Sequence, residues 1–378
     1  MKNFNREIES IFMCKRCLMD STAHEIEFTA HGTCNFCDDF MERAKSSIDL
    51  VDAEREANLD AFVELVKKQG AGKRYDAIIG LSGGLDSSWA LIKALELGLR
   101  PLAVHMDNGW NDQLSQNNIS NLVKRLGVDY HANVMPWKDY DQTVKAFLKA
   151  DVVDVELLYD NAAFTTCYQA AARYGVKYIL GGQNDATEGL RMSKHWNWNK
   201  FDKKNMVAIS KIFGGGEARR LPLTGSLGFV YYEYIKGVKW ISFLNYFKFN
   251  KPNVVKILVD EYDYQPYPYK HYESVLTRFY QGYILPNKFN IDKRKGHLSA
   301  LVLTGILDRD EALELLSEIP YASAIELERD RSYVLDKLGM SSEELDDYIR
   351  RPRVEHDFYP SEVNFWRMLS RVKRRFLL

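Results

Sequence analysis

Between residues 75 and 181 the chain reads in blocks. Four short stretches, at 75–81, 101–107, 129–135 and 176–181, have the length of strands, and the apolar Ala77-Ile78-Ile79-Gly80-Leu81 within the first is short enough to be a buried one. Between and before them the stretches 87–97, 115–127, 139–149 and 161–174 carry helix formers and few breakers. Gly98 and Gly127 stand just past two of these stretches, where a helix commonly ends in a left-handed turn. This alternation predicts an α/β fold, a doubly wound parallel sheet that binds its ligands beyond the carboxyl ends of its strands. Ahead of it, residues 46–70 predict a linking helix ending at Gly70-Ala71-Gly72. Beyond about residue 200 the alternation stops. The aromatic stretch 229–249, interrupted by Glu233, Lys236, Lys239 and Lys248, predicts a buried helical segment, and 308–318 and 341–349 predict amphipathic helices. The expected organisation is a small module at 1–45, the linking helix at 46–72, the sheet domain at 73–205 and a mainly helical region at 206–378.

Composition narrows the picture only a little. The 378 residues suffice for two or three domains. Lys+Arg 51 against Asp+Glu 52 leaves a formal charge of -1, which gives no sign of a dedicated nucleic-acid surface. The basic cluster Arg371-Val372-Lys373-Arg374-Arg375 reads as a solvated face. No export signal and no run of about 20 apolar residues is present, so a cytoplasmic protein is expected.

The chemistry concentrates where the first strand ends. Ser82-Gly83-Gly84-Leu85-Asp86-Ser87-Ser88 joins an apolar strand to a helix start. Adjacent glycines let the backbone approach an oxyanion, and the free N–H groups of the first helical turn point at it. Ser82, Ser87 and Ser88 add hydroxyls, and Asp86 is suited to a Mg²⁺ riding on phosphate. The usual phosphate loop has a lysine after separated glycines, and here there is none. Two further strand ends are polar: His105-Met106-Asp107-Asn108 and Gly181-Gly182-Gln183-Asn184-Asp185.

Four of the five cysteines form Cys14-x2-Cys17 and Cys34-x2-Cys37. Two such knuckles suit a closed, structural Zn²⁺ site, with two disulfides or an iron–sulfur cluster as the alternatives. Cys167 stands alone in a helical stretch, as a small core hydrophobe or as a sulfur carrier.

The glycine loop resembles the SGGxDS pyrophosphate loop of the PP-loop ATP pyrophosphatases. That resemblance implies cleavage of ATP to AMP and pyrophosphate, with a substrate oxygen adenylated and then displaced by a nucleophile. It places Asp107 near the nucleotide, and Gly181, Gly182 and Gln183 near the pyrophosphate or the acceptor. Taken with Cys14-Lys15-Arg16-Cys17, with Thr187-Glu188-Gly189 and with Asp292-Lys293-Arg294-Lys295-Gly296-His297, the loop makes nearly the whole chain similar to the N-acetyl sugar amidotransferases of the WbpG/PseA type. These are enzymes of bacterial surface-polysaccharide synthesis. The resemblance implies conversion of an acetamido to an acetamidino group on a nucleotide-activated sugar, with ATP, Mg²⁺ and a structural Zn²⁺. On this reading Asp86 and Ser87 serve the chemistry, Asn184, Glu188 and Arg191 face the sugar, and Lys293 and Arg294 face a phosphate. The trio 293–295 equally reads as a solvated turn.

The chain has no cysteine near residue 2 and no nucleophile elbow around Cys167, so it is not expected to make ammonia from glutamine. The resemblance implies a separate glutaminase and a synthase-like channel partner, similar to the pair used in histidine biosynthesis. The competing expectation is an ATP-dependent tRNA sulfurtransferase using Cys167.

Overall fold

The computed structural model describes residues 11–44, 47–267 and 272–368. The basic cluster at 371–375 lies outside them. Two helices come first, α1 (Asn35–Ala44) and α2 (Asp52–Gly70). The alternating region follows as β1 (Ala77–Gly80), α3 (Leu85–Glu96), β2 (Pro101–Asp107), α4 (Gln113–Leu126), β3 (Tyr130–Val134), α5 (Trp137–Lys149), α6 (Leu157–Tyr174) and β4 (Tyr178–Gly181). The strands lie within a residue or two of the stretches that predict them, and β3 is an exposed edge strand. Helices α4 and α6 end on Gly127 and Gly175, both left-handed, where a side chain would be strained.

All strands pair in parallel, in the order β3-β2-β1-β4-β5. Strand β1 is apolar throughout because both its faces are covered: Ile78 packs into one cluster with Val104 and Ile179, and Ile79 into another with Leu91 and Leu180. The chain winds outward from β1 to β2 and β3, then crosses back to set β4 on the other side of β1. That reversal opens a crevice at the carboxyl ends of β1 and β4.

After β4 come α7 (Asp185–Glu188), α8 (Lys203–Phe213) and α9 (Ser226–Val230), which widens into a π-turn at Tyr231–Ile235. The fifth strand, β5 (Lys239–Ser242), pairs with β4 from inside the stretch 229–249. This corrects the expectation of a buried helix there. The helical part is short and largely exposed, with Leu227 at 73% and Ile235 at 72%. Gly237 turns the chain at φ +66, and Lys239 N–H donates to the Lys177 carbonyl (2.8 Å), seating the strand. Four residues on a sheet edge leave no repeat to read; the pairing itself makes the strand. The sheet thus takes one strand from beyond residue 205, within the region expected to be mainly helical.

The remainder is helical: α10 (Lys251–Tyr262), α11 (Val275–Phe279) continuing as a π-helix (Tyr280–Phe289), α12 (Arg294–Leu303), α13 (Arg309–Ser317), α14 (Ala324–Leu338) and α15 (Ser342–Arg350). Pro286 lies within the π-segment, whose wider turn fits a residue with no N–H to give. Capping boxes at Asp308/Glu311 and Ser341/Glu344 start α13 and α15. Among the described residues no helix is long and apolar enough to cross a membrane.

The helical region is fastened to the sheet domain through a buried arginine. Arg278 on α11 makes a two-pronged pair with Asp330 on α14, which also accepts from Tyr321 Oη at 2.7 Å. Its Nη1 donates to Asp112 at 2.8 Å, and Asp112 caps α4 by accepting from Ser115 N–H. Breaking a buried pair strands a charge in a poorly hydrated site. Asp330→Ala is therefore expected to lower folding stability by about 3–5 kcal/mol, measured by urea unfolding. A loss below about 1 kcal/mol would put the pair in the class of exposed ion pairs.

Candidate active site

The crevice at the switch point is one wall of a cleft of 680 Å³. Its floor is the 82–88 turn. Gly83 takes φ +85, and Ser115 Oγ on α4 donates to the Ser82 carbonyl at 3.1 Å. Ser87 Oγ lies 3.1 Å from Ser82 Oγ and 3.2 Å from Ser82 N–H, which donates to it. Ser88 Oγ turns back to the Gly84 carbonyl at 2.8 Å. The turn is therefore braced from beneath. Helix α3 begins on Gly84 with no side-chain cap, so its dipole faces the cleft without a resident acceptor from the N-cap position.

The β4 end packs directly onto this turn. A Cβ at Gly182 would lie 2.7 Å from the Asp86 carbonyl carbon and 2.8 Å from Ser87 N. His105, buried on β2, ties the base together: Nδ1 is 2.7 Å from the Leu81 carbonyl and Nε2 2.9 Å from Asn111 Nδ2. A ring that donates to Leu81 and accepts from Asn111 is neutral, and burial holds its pKa below the usual histidine value.

Of the residues singled out from the sequence, Ser82, Gly84, Asp86, Ser87, Gly181, Gly182, Gln183, Glu188, Lys293 and Arg294 line this cleft. Gly83 and Ser88 belong to the braced turn just behind it. The others are placed elsewhere. Asp107 accepts from Gly109 N–H at 2.8 Å in the turn after β2. Asn184 is buried as the N-cap of α7, accepting from Thr187 N–H and Oγ1, both at 2.9 Å. Arg191 is largely exposed and paired with Asp39 at 2.8 Å. Of the cationic trio, Lys293 pairs with Glu156 at 2.7 Å at the cleft wall, and Arg294 pairs with Asp292 and donates to the Leu315, Leu316 and Glu318 carbonyls. Lys295 is pinned to Asp20. Arg294 and Lys295 thus hold α12 in place, so the trio is not a solvated turn, and Lys293 stands at the cleft wall.

Other cleft residues gave no local sign. Tyr264, Tyr267, Tyr272, Glu273, Arg278 and Gln281 arrive from the helical region, with Glu273 laid against Gly84. The tyrosine–proline run at 264–267 is the one hint the sequence carries. Asp160 on α6 also lines the cleft, 2.8 Å from half-buried Lys200, which bridges to Asp154 at 2.8 Å. Burial raises the Asp160 pKa, and Glu156 and Asp154 add to that effect. Cys167 lines the cleft beneath Gly80, and burial pushes its thiol up to about 12.

The four N-terminal thiols converge. Cys14–Cys37, Cys17–Cys34 and Cys34–Cys37 Sγ separations are 3.6, 3.8 and 3.5 Å. Disulfides would need about 2.05 Å, whereas thiolates about 2.3 Å from one tetrahedral ion are about 3.8 Å apart. The set fits such an ion, and the Arg16, Cys17 and Met19 N–H groups point at the Cys14 and Cys17 sulfurs as they do around a metal-bound thiolate. His31 is exposed and the His24 ring lies tilted against His195, 4.4 Å between centroids, so neither completes the tetrad.

The parallel 3-2-1-4-5 sheet with the SGGLDS turn at its switch point is the arrangement that the resemblance to the PP-loop ATP pyrophosphatases implies. Onto it is built a more particular element. Residues 273–373 match the family described as "LPS biosynthesis protein WbpG-like, C-terminal domain". No curated protein matches the chain. Solved structures similar to it include an NMN synthetase from Francisella tularensis, at 15% identity and TM-score 0.29, covering 51% of this chain and 89% of that one. An NH3-dependent NAD synthetase from Campylobacter jejuni subsp. jejuni NCTC 11168 is 14% identical with TM-score 0.30, covering 57% and 94%. A predicted subunit of tRNA methyltransferase from Methanocaldococcus jannaschii is 15% identical with TM-score 0.28, covering 49% and 76%.

Proposed function

We propose that this chain is an ATP-dependent amidotransferase that converts the acetamido group of a nucleotide-activated sugar into an acetamidino group, for a bacterial surface polysaccharide. The observation that carries the reading is the shared cleft. The SGGLDS turn forms one wall, and Arg278, Gln281, Lys293 and His297 of the WbpG-like domain form the other.

An amide oxygen is a poor leaving group. In the proposed reaction it attacks the α-phosphorus of ATP, the bond to the β-phosphate oxygen breaks, and pyrophosphate leaves. Ammonia then adds to the carbon, the carbon–oxygen bond breaks, and AMP departs with the former amide oxygen. The added nitrogen loses a proton to give the amidine. Backbone N–H groups of the turn and the hydroxyls of Ser82 and Ser87 would hold the departing pyrophosphate, with Ser88 bracing the turn from below. Asp86 would hold Mg²⁺, whose charge offsets that of the phosphates. Glu188 and Lys293 face the same space and are assigned to the sugar nucleotide. Ammonia is proposed to come from a separate glutaminase with a channel-forming partner.

The deciding test is pyrophosphate release from Mg-ATP and ammonium, with UDP- and CMP-linked acetamido sugars or bulk tRNA as acceptor. Sugar-dependent release, with a product in which O has become NH, supports the proposal. Release dependent on tRNA alone would establish the sulfurtransferase instead. Cys167 separates the two a second way. A thiol that stays protonated at neutral pH is a weak nucleophile. Cys167→Ala is thus expected to keep sugar-dependent turnover near wild type, and its collapse in a folded variant would bring the thiol into the chemistry.

A further inference from the structure

Asp160 owes its place in the cleft to a helix, not to a loop. Tyr159, Asp160, Ala163, Phe164 and Cys167 form the cleft-lining side of α6. Cys167 meets the sheet at Gly80, where β1 ends. The chain leaves α6 to begin β4 parallel to β1, so α6 runs against the strands and its start overhangs their carboxyl ends. Asp160, two turns before Cys167, therefore stands roughly 10 Å beyond the end of β1. The carbon under attack in the proposed reaction is joined to the α-phosphate. It must lie between the SGGLDS turn and the wall that receives the sugar, and that is the space Asp160 borders.

Three carboxylates and two ammonium groups meet at this point. Lys200 bridges Asp154 and Asp160, and Lys293 pairs with Glu156, which also accepts from Gln281 Nε2 at 2.9 and 3.0 Å. Three against two leaves one negative charge over. The Asp154 side chain is 0% exposed and accepts from Trp198 N–H at 2.7 Å as well as from Lys200. Glu156 is 12% exposed and held from two sides. Asp160 is 36% exposed, and of the three it alone lines the cleft. Lys200 engages its Oδ2, and a carboxylate has a second oxygen to offer. The phenols of Tyr140 and Tyr159 beside it are kept neutral by burial, and Glu273 approaches Tyr159 from the helical region.

We infer that Asp160 is the base that takes a proton from the incoming nitrogen. This rests on the amidotransferase reading. Ammonia bonds to the adenylated carbon and becomes a positively charged group on a tetrahedral centre. Until a proton leaves, that group can depart again as ammonia and undo the step. The Asp160 carboxylate accepts the proton, and the freed nitrogen lone pair expels AMP with the electron pair of the carbon–oxygen bond. The amidine leaves as its cation, and the proton on Asp160 passes to water. Burial and the two acidic neighbours outweigh Lys200 and raise the Asp160 pKa, which makes it a stronger base than an ordinary aspartate.

Asp160→Asn keeps the size and an oxygen for Lys200 but removes the base. With ATP and sugar saturating, ammonium-dependent amidine formation is expected to fall by about 100-fold or more, the scale of a lost general base. The first-turnover burst of pyrophosphate should persist, because adenylation precedes the step. Hydroxylamine adds through a nitrogen whose proton is far more acidic, so it should restore product formation to the variant. Wild-type turnover at fixed free ammonia should fall as pH drops through the Asp160 pKa, since a protonated carboxyl cannot accept, and should stay level with hydroxylamine. That profile decides the matter even where the variant does not fold. Near wild-type turnover of a folded Asp160→Asn, loss of its pyrophosphate burst along with turnover, or a wild-type rate level on the acid side would overturn the role of Asp160 and leave the enzyme reading standing. Absence of sugar- and ammonium-dependent turnover in the wild-type protein would overturn that reading, and the base with it.

Discussion

Gly182→Ala is expected to lower ATP-dependent pyrophosphate release by roughly 100-fold, the scale on which a misplacement of about 1 Å acts in a preorganised site. The reason is local. The added methyl would meet backbone atoms of Asp86 and Ser87 at 2.7 to 2.9 Å, and backbone in the first turn of a helix cannot swing aside as a side chain does. Either the β4 end lifts or α3 shifts along its axis. Both changes spoil the alignment of the first-turn N–H groups with a phosphate. The effect should fall on turnover more than on folding, because β1 and β4 keep their register from Ala77↔Tyr178 to Ile79↔Leu180. Steady-state pyrophosphate release, with urea unfolding as a companion, separates the two. A variant with wild-type turnover would show that the two loops need not touch during catalysis. Loss of turnover matched by loss of the fold would show that the contact is architectural.

The elements legible in the sequence are those whose cause is local. β1 and β4 are largely buried and each reads as a short apolar run, and β2 reads so as far as His105. The cysteine tetrad is legible because its spacing is its chemistry. β5 was not legible, because Trp240 and its neighbours become a strand only by pairing with β4. The same holds for the far wall of the cleft. Tyr272, Glu273 and Arg278 reach the cleft, and Glu273 the SGGLDS turn itself, from almost two hundred residues away, and nothing around them signals convergence. Asn184 and Arg191 lie outside the cleft lining. Both belong to a polar strand end that looks chemical, yet the first spends its carbonyl on capping α7 and the second pairs with Asp39 on α1. A polar residue near a site is often there to hold the backbone that carries the site.

Removal of the metal from the cysteine module is expected to cost on the order of 10–100-fold in turnover, although no thiol touches the cleft. Among its described residues the module has isolated bridges and one short helix, so an ion bound at the tetrad would supply much of its folding energy; in isolated zinc modules that amounts to about 10–16 kcal/mol. What it holds matters more. Leu18 N–H donates to Ser299 Oγ on α12 at 3.0 Å, Asp20 pins Lys295 at the start of α12, and Arg309 Nη2 on α13 donates to the Cys14 carbonyl at 2.9 Å. On its other side Arg43 donates to the Gly189 carbonyl at 2.8 Å and Glu25 accepts from Ser193 Oγ at 2.7 Å. One small body thus sets the position of Lys293 and His297 at the start of α12 and of Glu188 beside Gly189. Once the tetrad is open, both walls lose their reference while the sheet keeps its core. Chelation or Cys34→Ser should therefore abolish metal content and depress sugar-dependent turnover, while leaving most far-ultraviolet ellipticity and ATP binding by the turn. Metal analysis of the purified protein identifies the ion, and a brown protein with iron and sulfide would replace zinc by a cluster. Full turnover in a metal-free protein would reduce the module to an appendage and detach it from the site altogether.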